Sequence, residues 1–285
     1  MKQPEFSVVV PTHDRPAMLK AAVDSILSQT IEDIEVIVVD DCSTEHVSLS
    51  GDPRIRLVRR DNRGGPAAAR NSGVALATGR YLAFCDDDDL FTPDRLEITL
   101  EGLQRAPISI CWARYLDSTG QEDKGRFLEG DVFDVIAEQT TPPLGSTSVH
   151  RVVMLPFRED LDSAEDIDWW LRMSQIHEVT TAPRFGYLVR RHHGPRTATS
   201  KSRRIYDSQR LLQLHADYFD THLKAAAFRW KRIGLLAKET GNTRLARRAF
   251  VRALKTRPSV ADAAHLLRTF VAPMVPTKSN VEGPR

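Results

Sequence analysis

Four consecutive aspartates, Asp86 to Asp89, end the apolar run Tyr81-Leu-Ala-Phe-Cys85. Carboxylates held beside a buried strand repel one another and resist desolvation. A cation relieves both costs. An oxygen-only donor set suits Mg²⁺ or Mn²⁺, which share their coordination with phosphate oxygens. A solvated acidic turn is the plain alternative. Two more apolar runs also end in polar groups: Phe6-Ser-Val-Val-Val10 leads into Pro11-Thr12-His13-Asp14, and Ile34-Glu-Val-Ile-Val-Val39 leads into Asp40-Asp41. A separate acidic pair, Glu165-Asp166, opens a stretch of helical periodicity.

The elements that must position these groups can be read from apolar spacing. Phe6 to Val10 reads as a buried strand that stops at Pro11, and Pro16 to Gln29 as a helix with proline in its first turn. Strands follow at 34–39, 55–58 and 81–85, separated by a small-residue helix over 66–77 that Gly64-Gly65 introduces. A helix over 93–103 comes next. Strand–helix alternation predicts a mostly parallel sheet covered on both faces. Ligands bind beyond the carboxyl ends of such strands, so Thr12-His13-Asp14, Asp40-Asp41 and Asp86 to Asp89 are expected on one edge. Further along, 108–116 reads as a strand, 140–146 as loop, 164–176 as a helix with Ile167, Trp170, Leu171 and Ser174 on one face, and 186–189 as a short strand. From about Lys201 onward the chain reads as helical, Gly241-Asn242 turning it and Ser259 capping a last helix.

The 285 residues are 41% hydrophobic and 27% charged, an ordinary globular composition. The apolar runs are far shorter than the roughly 18 residues that span a bilayer, and the amino-terminal residues lack the regions of a signal peptide. Cys42, Cys85 and Cys111 make neither a disulfide framework nor a CxxC site, so a reducing cytoplasm is expected. The net charge of +2 hides an asymmetry: residues 1–195 hold 21 Lys and Arg against 32 Asp and Glu, and residues 196–257 hold 16 against 4. A basic helical stretch can meet phosphates, anionic lipid or an acidic protein face, or can be a solvated helix surface.

Three segments, taken in order, carry a resemblance: SVVVPTHDRPAMLKAAVDSILSQTIEDIEVIVVDDCSTE, RGGPAAARNSGVALATGRYLAFCDDDD and AEDIDWWLRM. Together they resemble the inverting family-2 glycosyltransferases of the GT-A fold, over about residues 5–195. The resemblance implies an α/β, Rossmann-like sheet flanked by helices. It also implies a metal-dependent enzyme of the hexosyltransferase class in glycan biosynthesis. The donor would be a nucleoside-diphosphate sugar, a UDP-sugar first among them, and the acceptor a glycan, lipid-linked or small-molecule hydroxyl. It places Pro11, Thr12 and His13 at the nucleotide, His13 standing where relatives often stack an aromatic on the base. Asp41 would accept a hydrogen bond from the base, with Asp40 a structural neighbour. Arg70 would lie near the nucleotide or the acidic motif. Asp86 to Asp89 match the DxD motif, with Asp87 near the ribose, Asp88 on the Mn²⁺ or Mg²⁺, and Asp86 nearby. Asp166 would be the general base, with Asp168 the alternative. One of Trp169 and Trp170 would pack in the core and the other line the sugar pocket. Arg190, Arg191, His192 and His193 precede a loop, and a basic or histidine residue among them, His192 and His193 being equal candidates, would reach the diphosphate or metal as that loop closes over the donor.

Each assignment has a structural counterpart: a turn or N-cap aspartate for Asp41, an ion pair for Arg70, and helix N-terminal acids favoured by the macrodipole for Glu165-Asp166. The chain departs from the family in three places. Cys42 replaces a glycine after Asp41, Asp87 replaces a frequent serine, and Val153-Met-Leu-Pro156 replaces a glycine-rich turn, which points to an unusual acceptor side. The expected domains are 1–200, with a nucleotide-sugar half to about 105 and an acceptor half from 106, a basic helical extension over 201–272, and a disordered tail over 273–285. The segment from Ile233 to Pro258 resembles one tetratricopeptide-type hairpin. A single such repeat cannot bury its own face, so it is expected to pack on the catalytic body, on a partner or on a second copy of itself, and the basic helical tail is expected to offer self-association or peripheral membrane contact. The competing readings are a nucleotide-sugar-binding pseudoenzyme or scaffold and, less well matched, a nucleotidyltransferase. No nucleic-acid motif is present.

Overall fold

The computed structural model describes residues 3–117, 122–123, 125, 141–191 and 200–270. His192, His193 and the tail over 273–285 lie outside the described residues. The chain divides into two compact units, Met1–Asp207 and Ser208–Arg285.

The first unit holds an eight-stranded sheet of order β3-β2-β1-β4-β7-β6-β8-β5. Its strands are β1 (Phe6–Thr12), β2 (Ile34–Asp40), β3 (Ile55–Arg59), β4 (Tyr81–Phe84), β5 (Leu90–Phe91), β6 (Ile108–Leu116), β7 (Thr147–His150) and β8 (Val179–Arg190). The helices α1 (Pro16–Leu27), α2 (Gly65–Leu76), α3 (Arg95–Leu103) and α4 (Glu165–Ile176) flank it. Strands β3, β2, β1 and β4 are mutually parallel. β7 then inserts antiparallel between β4 and β6, and β5 pairs antiparallel with β8. The expected parallel sheet is therefore mixed beyond β4.

Alternation along each strand serves two cores. Val8, Val10, Val36, Val38 and Ala83 join Leu19, Val23 and Ile26 of α1 in one buried cluster. Val9 faces the other way, where the absence of a side chain on Gly73 lets α2 lie against it. Phe84 meets Phe157 and Trp169 edge-on, at ring-centroid distances of 5.6 and 6.4 Å. Each such side chain stabilises the fold by about 1.5–3 kcal/mol on burial.

Two boundaries differ from expectation for identifiable reasons. β1 runs through Pro11 to Thr12, pairing Pro11 with Val39. The side of β1 on which Pro11 lacks an N–H is that of β4, whose pairing with β1 has already ended at Val9. β8 begins at Val179, seven residues earlier than expected. Its pairing with β6 steps from Cys111↔Ala182 to Trp112↔Phe185, so Pro183 and Arg184 bulge out and the ladder continues around the proline.

In the second unit, α5 (Lys201–Leu214), which spans the division between the units, leads to α6 (Ala216–Thr221), α7 (Leu223–Glu239), α8 (Thr243–Thr256) and α9 (Val260–Leu267). α7 and α8 form a hairpin whose first helix starts ten residues before the expected Ile233. Gly241 turns it at φ +75°. Asn242 caps α8 by accepting from the Leu245 N–H, and Ser259 caps α9 by accepting from that of Asp262. Ala246, Ala249, Phe250 and Ala253 form the buried stripe of α8.

Candidate active site

The three polar strand ends meet. The Thr12 hydroxyl donates to Asp87 Oδ2 at 2.7 Å, and the Asp41 N–H donates to the Thr12 carbonyl at 2.9 Å. The next turns lock together through Asp14, at φ +54°, whose carboxylate accepts from the Thr44 N–H at 2.7 Å. His13 places Nδ1 3.0 Å from the Asp41 carbonyl and Nε2 3.3 Å from Asp14.

Asp41 is 4% exposed and sits on the amino end of α2. Its carboxylate accepts from the N–H groups of Gly64 at 2.9 Å and Gly65 at 2.7 Å, and from Arg60 Nη1 at 3.0 Å. These are amides that a helix cannot satisfy internally, so Asp41 caps α2 as well as facing the edge. Asp40 is wholly structural in its contacts, accepting from the Ser43 N–H and Arg59. Cys42, where a glycine was expected, adopts φ +64°. The left-handed backbone that glycine would supply is kept, at the steric cost a Cβ brings there.

The tetrad splits by direction. Asp87 is buried against Thr12 and Arg15, whose Nη1 lies 3.0 Å from Asp87 Oδ1 and 2.6 Å from Asp88 Oδ2. Burial pushes the Asp87 carboxyl up, while Thr12 and Arg15 pull it back. Asp86, Asp88 and Asp89 each bring one oxygen within 4.8 Å of the others. Asp89 is nearly sealed. The Tyr187 hydroxyl donates to its Oδ2 at 2.6 Å and the Arg190 N–H to its Oδ1 at 2.9 Å. Burial, with the charges of Asp86 and Asp88, holds its carboxyl well above the usual range. Three mutually repelling carboxylates with only oxygen to offer fit a hard divalent cation. The expected ligand Asp88 is in this set, together with Asp86 and with Asp89, which sequence reading left unassigned. Arg190 reinforces the turn, its Nε donating to the Asp88 carbonyl at 2.6 Å. Arg191 points elsewhere, to Asp123 and the Tyr115 ring.

Arg70, on α2, joins this edge to a residue 95 positions away. Its Nη2 donates to Asp86 Oδ1 at 2.8 Å and its Nη1 to Glu165 Oε1 at 3.0 Å. Burial opposes the cation, and the charges of Asp86 and Glu165 outweigh it, so the guanidinium stays protonated. Burial also pushes the Glu165 carboxyl up to about 8, with Asp166 adding to the push and Arg70 opposing it. The two tendencies are compatible: Glu165 Oε1 can accept from Arg70 whether or not the other oxygen carries a proton. Asp166, next along, is half-buried, and its Oδ1 accepts from the Ile167 N–H. Asp168, the alternative base, is fully buried and gripped by Arg158 and Arg172, which makes it a structural anion. Trp169 and Trp170 are both fully buried, with indole N–H groups donating to the Leu155 and Pro142 carbonyls. Neither ring is exposed. The periodic face of α4 is correspondingly turned: Asp168, Trp169 and Met173 are inside, and Ile167 and Ser174 are only half-buried. Asn71 pins the segment that lacks the glycine-rich turn, bonding both the N–H and the carbonyl of Phe157.

Residues 7–148 match the family model "Glycosyl transferase family 2". An uncharacterized glycosyltransferase of Rickettsia felis is 32% identical over 191 residues, an alignment covering 61% of this chain and 31% of that protein. The chain thus spans about a third of the length of that relative. WfgD of Escherichia coli, a UDP-Glc:alpha-D-GlcNAc-diphosphoundecaprenol beta-1,3-glucosyltransferase, is 24% identical, with 69% of this chain and 80% of WfgD covered. Among solved structures, S. aureus TarS 1-349 in complex with UDP-GlcNAc superposes with a TM-score of 0.65 at 15% identity, covering 93% of this chain and 89% of that one. The sheet and its flanking helices are those of a GT-A fold. Through this unit the chain belongs to glycosyl transferase family 2.

Proposed function

We propose that this chain transfers a sugar from a nucleoside-diphosphate sugar, a UDP-sugar, to a hydroxyl of a glycan, lipid-linked or small-molecule acceptor, in one inverting displacement. The observation that carries this reading is the Arg70 bridge. It holds the donor-side Asp86 and the acceptor-side Glu165 on one guanidinium, and Asp166 is the residue that follows Glu165 at the start of α4. The similarity to WfgD, a UDP-Glc glucosyltransferase, and to TarS, whose structure holds UDP-GlcNAc, supports the donor class.

Asp41, with Pro11, Thr12 and His13, would hold the nucleoside, and Asp87 the ribose side. Asp86, Asp88 and Asp89 would hold Mn²⁺ or Mg²⁺, which supplies charge neutralisation for the departing diphosphate. Arg15 balances the charge of Asp87 and Asp88, and Arg70 that of Asp86, until the cation takes over. Asp166 would take the proton from the acceptor hydroxyl as it attacks the anomeric carbon, on the face opposite the diphosphate. That role needs a carboxylate within hydrogen-bond reach of the hydroxyl. The test is nucleoside-diphosphate release from a panel of sugar nucleotides with Mn²⁺, Mg²⁺ or EDTA. Metal-dependent release from one donor, lost in Asp88→Ala, is expected. Binding without release in the presence of an acceptor panel would favour the pseudoenzyme instead.

A second reading concerns α8, which carries five basic and no acidic side chains. Like charges at i, i+4 disfavour a helix by a few tenths of a kcal/mol each, so this surface has a use for them. Peripheral contact with an anionic membrane at the cytoplasmic face fits that charge. No helix among the described residues is long and apolar enough to cross a membrane. Unchanged sedimentation with anionic liposomes after Arg244, Arg248 and Arg252 are changed to Glu would remove this reading.

A further inference from the structure

The nucleotide subsite has an accounting of hydrogen bonds that its carboxylate alone does not settle. A carboxylate offers about four acceptor positions. On Asp41, Oδ1 is taken by Arg60 Nη1 at 3.0 Å and by the Gly64 N–H at 2.9 Å. Oδ2 takes the Gly65 N–H at 2.7 Å, with that of Gly64 at a longer 3.3 Å. The two amides belong to the first turn of α2 and cannot leave without unwinding it. One good acceptor position remains, on Oδ2.

Arg60 stands beside it. Its backbone is fixed by an N–H donated to the Asp40 carbonyl at 2.9 Å, and its side chain is 23% exposed. Among the described residues the guanidinium spends one N–H, on Asp41, out of the five it carries. Gly64 leaves room for this: a Cβ there would lie 2.6 and 2.7 Å from Arg60 Nη1 and Nη2. The subsite thus presents a single acceptor flanked by unspent donors.

We infer that Arg60 is a specificity-determining residue of the donor site. With the one open acceptor of Asp41, it selects a base edge bearing a single N–H beside a carbonyl, as in the imide of uracil or thymine. It rejects the guanine edge, whose ring N–H and amino group are adjacent donors. This rests on the donor-binding reading above and deepens it. The imide N–H goes to Asp41 Oδ2 and the neighbouring carbonyl accepts from Arg60. Guanine would bring two donors to one acceptor and leave one of them unpaired, a loss that discriminates strongly in desolvated sites. Removing Arg60 has a two-sided consequence. The imide loses its donor, and Asp41 Oδ1 regains an acceptor position that guanine can use.

The test is calorimetric binding of UDP, dTDP and GDP with Mg²⁺ to the full chain, as wild type, Arg60→Met and Arg60→Lys. Met keeps most of the stem's packing, and thermal melts check that both variants fold. Wild type is expected to prefer UDP and dTDP over GDP by at least tenfold. Arg60→Met should weaken UDP about tenfold while GDP holds or tightens, so the preference collapses, and Arg60→Lys should keep part of it. An unchanged UDP-to-GDP ratio in folded Arg60→Met, or a wild-type preference for GDP, overturns the role of Arg60 and leaves the transferase reading standing. Wild-type protein that binds none of the three nucleotides overturns both.

Discussion

At the carboxyl ends of β1, β2 and β4 the first unit crowds Asp41 and the Asp86 to Asp89 tetrad around Arg15, Arg60 and Arg70. At the amino ends of β1 and β4 it leaves a hollow of about 580 Å³, lined by Glu5, Arg80, Tyr81, Leu103, Arg105 and His150 among others. The hollow is roomy and the carboxylate edge is tight, yet only the edge carries unbalanced chemistry. In the hollow, His150 Nε2 is bonded to the Leu103 carbonyl and Arg80 lies over the Tyr81 ring. At the edge, three carboxylates face one another and one of them is driven toward its neutral form. Parallel strands make this asymmetry. They bring loops and a helix amino end to one edge, where backbone N–H groups such as those of Gly64 and Gly65 can hold an anion. Concavity alone is a poor guide to function here, and residual charge is the better one.

That contrast can be broken most directly at the base. Asp166→Asn should lower kcat by about 10²–10⁴-fold with donor affinity preserved, measured by nucleotide release and by calorimetry. Loss of donor binding instead would make Asp166 a part of the nucleotide site. Next comes the bridge. Arg70→Met leaves Asp86 and Glu165 without their shared cation and should cost about 3–5 kcal/mol in urea unfolding. Arg70→Lys should recover only part of that, since one ammonium lacks the fork that spans both acids. At Arg15 the sign reverses. Arg15→Ala removes the cation that now occupies Asp87 and Asp88, so Mn²⁺ binding without nucleotide, read by electron paramagnetic resonance, should tighten severalfold. Weaker binding would mean that Arg15 shapes the carboxylate set rather than competing for it.

A further test is a slope. Glu165 titrates near 8 when folded and near 4.5 when unfolded. A raised folded value means the native state holds the proton more tightly, so this contribution is full below about pH 4.5 and is lost as pH rises through 8. The melting temperature of wild type relative to Glu165→Gln should therefore fall between pH 5 and pH 9. A gap independent of pH would show that Arg70 keeps Glu165 ionised throughout. As the control from the other edge, Arg105→Ala in the hollow should change neither stability by more than about 0.5 kcal/mol nor nucleotide release.

Strand β7 shows where sequence reading stops. Thr147 and Ser148 are fully buried and carry no apolar signal. They are inside because Arg95, itself buried without a carboxylate, donates to the Ser148 hydroxyl at 2.7 Å and to the Gly145 and Thr147 carbonyls. Such a strand is specified by a cation from α3, 50 residues away, and local periodicity has no access to it. The two-residue β5 is too short to show a period at all. Trp169 and Trp170 mark a different limit: adjacent side chains on a helix leave it about 100° apart, so one inside and one outside is the natural expectation. Both are buried because α4 packs against Leu155 on one side and Pro142 on the other. Asp89 could have been read from the tetrad itself, and Arg15 from its place beside the first strand end. Tyr187 and Arg60 gave no such sign.

By itself the sequence determined the kind of molecule. Apolar runs ending in Thr12, Asp41 and Asp86, spaced by amphipathic helices, can satisfy their backbone and bury their side chains only in a sheet whose carboxyl ends gather those groups. The order of the motifs marked the family. Only the tertiary structure decided which carboxylate does what. Asp168 was gripped by two arginines, Asp87 turned to Thr12, Asp89 was sealed under Tyr187, and Asp41 was left with one open acceptor. Those outcomes depend on hydrogen-bond partners brought from distant positions, and the ionisation and remaining valence of a buried carboxylate are set by such partners rather than by its neighbours in the chain.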